Sequence, residues 1–320
     1  MTLGSGQAGP GTSWCNSIVA PKATMQRRPN ADGRVPRAAN PAHAENALTV
    51  DLEEWFHVCG VGGVLAFEHW NTLPARVVPT TRSLLDLLDR AEVRATFFIV
   101  GWIAERYPWL VQAVHDAGHE IGSHSYRHQR VYELDETAFR SDLRASIVAL
   151  KAAGVADVRC FRAPEWSVND RSLWALETLV EEGFTLDASM APLKMVGSVM
   201  YPRRPHVRRT GAGPILEVPP LVADRFGQVM PLGWGWGLRM SSPRRVLRAI
   251  DRLNRSGQPA VLAVHPWELD PDPPRVRLPA GLRFAHYFCL AGFGERLRTI
   301  LSGGRFGPIG RIAEATSASM

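Results

Sequence analysis

The chain has 320 residues, of which 45% are hydrophobic and 21% are charged, enough for one large core or two small ones. It shows no collagen-like glycine period and no internal repeat, which excludes fibrous and repeat architectures, and the lack of a run of 18 apolar residues argues against a transmembrane helix. The 37 Lys and Arg residues exceed the 31 Asp and Glu residues by six, and half of this excess lies in the first 46 residues. Because no basic stripe is interleaved with aromatic residues, we expect no nucleic acid partner.

Residues 1–46 contain scattered Pro, Gly, Ser and Arg without hydrophobic periodicity, which predicts a disordered tail. A targeting peptide and an overlong start are the alternatives. The segment lacks the apolar region of a secretory signal, so we expect cytoplasmic residence, with the inner membrane surface as an alternative. The four cysteines are far apart and form no C-x-x-C pair, so we expect reduced thiols.

From Asn46 onward, short apolar runs alternate with amphipathic stretches. Strands are predicted over 47–50, 95–100, 119–123, 158–163, 184–188, 215–218 and 260–264. Helices are predicted over 81–90, 103–117, 136–153, 173–182 and 243–255. This alternation indicates an α/β domain, a parallel sheet covered by helices, over residues 47–320. In barrels of this class the chemistry lies at the carboxyl ends of the strands, where the polar residues of this chain also fall.

Two histidines are the first candidates for chemistry. His124 and His128 follow a predicted strand at a spacing of four, so both imidazoles can face one metal ion. Two ordinary polar histidines are the alternative. Asp51, Glu53 and Glu54, at the end of the first core strand, offer a third ligand, or they form a solvated acidic turn. Two histidines and one carboxylate leave coordination positions open for water, as hydrolysis requires.

Three more polar residues lie at the ends of predicted strands. Arg162 can hold a base carboxylate by a charge-assisted hydrogen bond, or it is a surface arginine. Asp187 is a site residue, or a turn or helix-capping residue. His265 ends an apolar strand, where a structural histidine is the alternative. The order of these features along the chain is more specific than any one of them.

That order is an acidic turn, H-S-x-x-H, R-x-P, an aspartate and a histidine, and it resembles the five-motif pattern of the NodB-type polysaccharide deacetylases, carbohydrate esterase family 4. The resemblance covers about residues 47–300. The Asp51–Glu54 turn and the stretch His265–Asp272 are similar to a sub-branch associated with exosortase and extracellular-polysaccharide loci. In that sub-branch a C-terminal extension corresponds to about residues 266–320.

The resemblance implies a distorted (β/α)7-type, TIM-like barrel that removes N-acetyl groups from amino sugars of a polysaccharide or its precursor. It also implies one divalent metal ion, commonly Zn²⁺, with His124 and His128 as ligands. The sub-branch spacing Asp-x-Glu favours Glu53 as the third ligand over Glu54. Asp51 is then the general base.

The remaining motifs complete the implied mechanism. Arg162 orients the base, and Asp187 holds His265, which acts as the general acid. A backbone N–H near Glu165 contributes to an oxyanion site.

Aromatic residues and a basic run surround this implied site. The substrate-binding candidates are Glu165, Trp166, Trp234 and Trp236, although the indoles of the glycine-rich stretch can instead pack on the barrel rim. Glu165 stands where the family has an aromatic or a small polar residue. A basic run consists of Arg203, Arg204, Arg208 and Arg209. It can bind an anionic glycan or a lipid-linked pyrophosphate, or it is a solvated loop. The expected partners are an N-acetylated oligo- or polysaccharide and, peripherally, a polysaccharide-assembly machinery.

Two other functions compete with this one. An enzyme of the same fold can act on a small amide or ureide, which requires a closed small cavity. A carbohydrate-binding protein that has lost activity is the second alternative, although the complete set of motif residues argues against that loss.

Overall fold

The structure is a computed structural model that describes residues 45–225 and 227–317. In these ranges the strands are β1 (Asn46–Leu52), β2 (Thr96–Ile99), β3 (Glu120–Ser123), β4 (Cys160–Phe161), β5 (Leu186–Asp187), β6 (His206–Thr210), β7 (Gly213–Glu217), β8 (Val222–Arg225), β9 (Gln228–Pro231), β10 (Val261–Val264) and β11 (Phe306–Gly307). The helices are α1 (Val77–Arg90), α2 (Gly101–Arg106), α3 (Pro108–Asp116), α4 (Glu136–Ala152), α5 (Trp174–Glu181), α6 (Gly235–Met240), α7 (Pro243–Arg255), α8 (Ala280–Tyr287), α9 (Phe293–Gly303) and α10 (Gly310–Ser317).

The central sheet has the order β10-β1-β2-β3-β4-β5-β7-β6, with β11 beside β1. All described pairings are parallel except β6–β7 and the separate hairpin β8–β9. Every residue of β1, β2 and β10 is buried, because helices cover the sheet. The sheet curls into a half-barrel, which confirms the predicted α/β fold of the distorted-barrel type.

The helix predicted over 103–117 is instead two helices, α2 and α3. Tyr107 separates them, with φ −131° and ψ 58°, and Pro108 starts α3. Proline restricts the residue before it and lacks an N–H, so it begins a new helix at low cost. The strands β6, β8, β9 and β11 were not predicted, because they are short and largely half-exposed or carry charged residues.

The C-terminal segment returns to the first strand of the sheet. Asn46 pairs with Phe306 across β1 and β11, and its side chain bonds the Arg305 carbonyl oxygen and Asn254. Of the tail predicted over 1–46, residues 1–44 lie outside the described residues, and Asn46 is the first residue of β1. The C-terminal residues are therefore part of the same sheet as the first core strand.

In the described part of the chain, no helix combines the length and the apolar character needed to cross a bilayer. Cys59, Cys160 and Cys289 are free thiols, as expected, and Cys15 lies outside the described residues.

Candidate active site

The polar residues that follow the strands meet in one pocket of about 210 Å³. Since parallel strands end on the same edge of a sheet, side chains far apart in sequence come together there. The predicted residues that line the pocket are Asp51, Glu53, His124, His128, Glu165, Trp166, Trp234, Trp236 and His265.

The loop that carries both histidines is held in a tight turn. Ser125 and His128 adopt left-handed backbone, with φ of 61° and 51°. Asp142 on α4 accepts hydrogen bonds from the backbone N–H groups of residues 126–127, at 2.7 and 2.9 Å. The turn directs both imidazoles to the same side, toward the end of β1.

Glu53, His124 and His128 form a compact ligand group, because the ligand atoms of all three lie within 4.8 Å of one another. Oε2 of Glu53 is 2.6 Å from Nε2 of His128 and 3.8 Å from Nε2 of His124. His124 donates from Nδ1 to the Arg162 carbonyl oxygen at 2.7 Å, which leaves Nε2 with a lone pair. Two imidazole nitrogens and one carboxylate, with a bonded outer nitrogen, suit a divalent metal ion.

The side chains of Glu53, His124 and His128 are electrostatically coupled. Burial by itself would raise the pKa of Glu53, but the nearby His128 and His265 outweigh it and hold that pKa well below its usual range. Burial lowers the pKa of His124 to about 4. Burial also opposes the charging of His128, but Glu53 raises its pKa well above the usual value. The carboxylate is therefore ionised, as a metal ligand must be.

Glu54 has a different environment from its neighbour. Its carboxylate accepts hydrogen bonds from the backbone N–H groups of Arg76 and Val77, at 2.9 to 3.0 Å, at the start of α1. Burial raises its pKa to about 7. Of the two candidate ligands, Glu53 thus lies with the histidines and Glu54 serves a helix N-terminus.

Asp51 lies beside the ligand group and is held by Arg162. Nη1 of the fully buried Arg162 donates to Oδ1 of Asp51 at 2.7 Å, and also to the Thr49 hydroxyl at 2.7 Å. The other oxygen of Asp51 is 3.8 Å from Nε2 of His265, which in turn is 3.6 Å from Glu53 Oε1. Asp51 and His265 therefore lie close to each other, and His265 also lies close to Glu53.

The expected pairing of Asp187 with His265 is wrong. Asp187 stands in register with Glu217 of the neighbouring strand β7, and the two buried carboxyl groups share a hydrogen bond. Ser189 also donates to Asp187. Burial raises the pKa of both carboxyl groups, that of Glu217 more strongly.

The partner of His265 is Glu268. Nδ1 of His265 is 3.1 Å from Glu268 Oε2, and the same oxygen accepts the His265 backbone N–H at 2.9 Å. The second oxygen of Glu268 pairs with Nε of Arg239 on α6 at 3.0 Å, and both side chains are fully buried. Arg239 also donates to the His286 carbonyl oxygen on α8 at 2.9 Å. The sequence analysis missed Glu268 and Arg239, and the only local signal was a glutamate three residues after the histidine.

The remaining wall of the pocket is aromatic. The ring centroids of Trp166 and Trp234 are 4.7 Å apart, while Glu165 pairs with Arg130 at 2.7 Å. Glu165 and Trp166 both have left-handed backbone, with φ of 52° and 51°, a strained arrangement that is common at functional sites. His57 also lines the pocket and was missed.

A family model described as polysaccharide deacetylase matches residues 66–180, and a second one, a domain of unknown function (DUF3473), matches residues 188–314. The first match covers the histidine loop and the Arg162 motif. Asp187 lies between the two matches, and the second one contains His265 and Glu268.

Curated relatives match a limited stretch of the chain. A peptidoglycan-N-acetylglucosamine deacetylase of Bacillus cereus is 32% identical over 99 residues, which are 30% of this chain and 36% of that protein. Chitin deacetylase 1 of Saccharomyces cerevisiae is 30% identical over 93 residues, 29% of this chain and 30% of that protein. The chain thus spans about a third of the length of these two relatives.

A solved structure assigned as a polysaccharide deacetylase of Mycobacterium smegmatis has the same fold, with a TM-score of 0.56 at 22% identity over 89% of this chain and 94% of that one. Fold and site define a class, a distorted α/β barrel with a His-His-carboxylate group at the strand ends. Over residues 66–180 the chain is therefore similar to polysaccharide deacetylases, and it shares its fold with the Mycobacterium smegmatis structure.

Proposed function

We propose that this protein hydrolyses the N-acetyl groups of amino sugars in a polysaccharide or its precursor, releasing acetate and a free amine. The observation that carries the proposal is that Asp51 and His265 lie beside the group Glu53, His124 and His128 in one pocket. A base, an acid and a ligand set that leaves coordination positions open are what amide hydrolysis requires.

Glu53, His124 and His128 would hold one divalent ion, for which zinc is our proposal because the donors are imidazole and carboxylate. When bound, such an ion supplies Lewis-acid polarisation of the acyl oxygen and lowers the pKa of water. The chain contributes a fixed orientation of the ligands, since the outer nitrogen of His124 is bonded to a carbonyl oxygen and Glu53 Oε1 accepts the Trp267 indole N–H at 3.0 Å.

Asp51 would act as the general base. Arg162 holds one carboxylate oxygen, so the other is positioned to accept a proton from the attacking water as oxygen bonds to the acetamide carbon. Because Arg162 also bonds Thr49 and is stacked over Phe98 at 4.4 Å, its own position is fixed. The base is therefore preorganised, with little rearrangement left for the reaction.

His265 would act as the general acid. Burial by itself lowers its pKa, but Glu268, Glu53 and Asp51 raise it to about 9, so the imidazole carries the proton at neutral pH. It would give that proton to the amine nitrogen as the carbon–nitrogen bond breaks, and Glu268 would hold the ring for this transfer. Without that proton the amine is a poor leaving group.

The substrate class rests on the pocket walls. Trp166, Trp234 and Trp236 offer indole surfaces of the kind that stack on sugar faces. We propose an N-acetylated glycan of the extracellular-polysaccharide type, handled at the cytoplasmic side of the membrane in association with a polysaccharide-assembly machinery. We also propose that residues 47–320 work as a single deacetylase domain, because β11 pairs with β1.

The experiment is acetate release from N-acetylglucosamine oligomers by the full-length protein, stripped of metal and then resupplied with zinc, beside the variant Asp51→Asn. We expect release that needs the metal and that falls by about two to four orders of magnitude in the variant, which should still bind metal. Release by Asp51→Asn at the wild-type rate would refute the assignment of the base. Metal binding without acetate release from any N-acetylated glycan would favour a small amide or ureide as the substrate. No metal binding would favour a non-catalytic protein.

A further inference from the structure

Large apolar side chains are exposed at a few places, and most of them lie in or next to segments that contribute other residues to the pocket lining. Ten such side chains are exposed in the described part of the chain. Six of them form what we call the apolar rim: Met195, Val199, Met200, Met240, Phe284 and Phe288. Met195 and Met200 are 71% and 85% exposed. A concentration of exposed apolar surface at one place marks an interaction site.

One side of the apolar rim is the segment 194–200. Between its exposed side chains lies Val196, which lines the pocket and packs on the cluster that contains Trp166 and Trp234. The segment is thus anchored at the pocket by one apolar residue while its neighbours point to water. The anchor fixes the exposed residues beside the pocket mouth.

The other side of the apolar rim is helix α8 with the end of α6. Leu282 and Ala285 of α8 line the pocket, whereas Phe284, which lies between them in sequence, is exposed. Phe284 lies 4.7 Å from Phe288 in a stacked pair and 6.0 Å from Trp236, which also lines the pocket. Aromatic rings therefore continue from the pocket wall onto the outer surface.

The rim segments carry positive charge without any negative charge. Residues 188–216 contain no Asp or Glu and five basic residues: Lys194, Arg203, Arg204, Arg208 and Arg209. Residues 273–294 contain no Asp or Glu and three basic residues: Arg275, Arg277 and Arg283. Of these basic residues, Arg203 pairs with Asp224 at 2.7 Å. Exposed aromatic and apolar side chains beside an excess of Lys and Arg are the chemistry of a surface that binds anionic lipid.

We propose that the apolar rim docks on an anionic membrane surface, with Phe284, Phe288 and the methionines at the level of the headgroups and the basic residues on the lipid phosphates. A second copy of the chain is a poorer occupant, because pairing one rim with another would bring the same cations face to face. Docking in this way turns the pocket mouth toward the bilayer. If the proposed deacetylation is right, the substrate is then a glycan presented at the membrane surface.

The test is co-sedimentation of the full-length protein with phosphatidylcholine vesicles that contain about a quarter phosphatidylglycerol, and with phosphatidylcholine alone. The rim variant carries Phe284→Ser and Phe288→Ser. The matched control carries Val148→Ser and Leu173→Ser, two exposed apolar residues outside the rim. Because every variant keeps residues 1–44, any binding through that basic segment is common to all of them.

We expect the wild type and the control to bind anionic vesicles, and the rim variant to bind at least about tenfold more weakly. Arg277→Gln with Arg283→Gln should reduce binding to the anionic vesicles and make it less sensitive to salt. Equal binding of the rim variant and the control, or no preference for anionic lipid, would overturn the proposal. A dimer in solution that the rim variant loses would assign the rim to a second copy instead.

Acetate release from soluble oligomers separates this proposal from the proposed function. The rim variant should release acetate like the control, because neither phenylalanine lines the pocket. Absence of release from every variant would refute the deacetylase proposal, while the vesicle result would still decide the role of the rim.

Discussion

The two sides of the pocket are built in different ways. The first wall consists of Asp51, Glu53, the histidine loop and Arg162, all placed by the ends of adjacent parallel strands. In the second wall, His265 is held by Glu268, and Glu268 is paired with Arg239 of α6. Arg239 in turn donates a hydrogen bond to a carbonyl oxygen of α8. The first wall is therefore determined mainly by the sheet, and the second by a buried chain of charges between separate elements.

The largest expected effect tests the first wall with two neighbouring glutamates. Glu53→Gln removes the charge of the proposed ligand. The metal content should therefore fall well below one ion per chain, and the rate of acetate release should fall at least about a hundredfold. Glu54→Gln is the matched control and should keep metal and activity, with a loss of about 1 kcal/mol in unfolding free energy at the start of α1. Metal analysis, acetate release and urea unfolding measure the three quantities. If Glu53→Gln still binds one metal ion and is active, the ligand is another carboxylate.

The next effect concerns the buried charges of the second wall. Glu268→Gln leaves Arg239 without its partner, so we expect a loss of about 3 kcal/mol in unfolding free energy and a fall in kcat with little change in KM. Asp187 stands beside Glu217 and does not hold His265, so kcat of Asp187→Asn should stay close to wild type. Urea unfolding and steady-state kinetics measure both variants.

If Glu268→Gln does not fold, Arg239→Gln with Glu268→Gln removes both charges, and kcat should still be low. A larger loss of kcat in Asp187→Asn than in the Glu268 variants would favour the pairing of Asp187 with His265 that the sequence predicts.

A smaller effect lies outside both walls. Burial lowers the pKa of His119 to about 4, and its ring accepts the Ala95 backbone N–H at 3.1 Å. Because the unfolded chain takes up this proton near pH 6.5 and the folded one does not, the stability contributed by the neutral ring is lost as pH falls from 6.5 to 4. The loss is up to about 1.4 kcal/mol per pH unit. Urea unfolding of wild type and His119→Gln at several pH values measures it, and identical pH dependence would contradict the assignment.

The smallest effect concerns Trp236, which joins the second wall to the apolar rim. Trp236→Ala should raise KM for an oligosaccharide up to about tenfold while kcat changes little, because lost stacking weakens ground-state binding. Trp236→Phe keeps an aromatic face and should stay close to wild type. Steady-state kinetics on oligomers of several lengths measure it, and an unchanged KM would mean that the indole only packs on α8.

The alternation of strands and helices was predictable, because buried parallel strands are continuous apolar runs and the helices have an apolar stripe. Short or half-exposed strands such as β6 were not, since nothing in their composition separates them from loops. The break between α2 and α3 is signalled in the sequence by Pro108, although the prediction ran one helix through it. The pairing of β11 with β1 joins residues about 260 positions apart, which no local pattern reveals.

By itself, the sequence determined that Asp51, the histidine pair, Arg162 and His265 follow strands, because strand ends are set by local hydrophobic runs. Only the tertiary structure decided which neighbour each side chain meets. Glu53 and Glu54 are adjacent in sequence, yet one meets the histidines and the other a helix N-terminus. Asp187 meets Glu217 because strand register places them side by side, and His265 is left to Glu268. Register and the packing of distant helices arise from contacts across the whole chain, so local sequence patterns do not contain them.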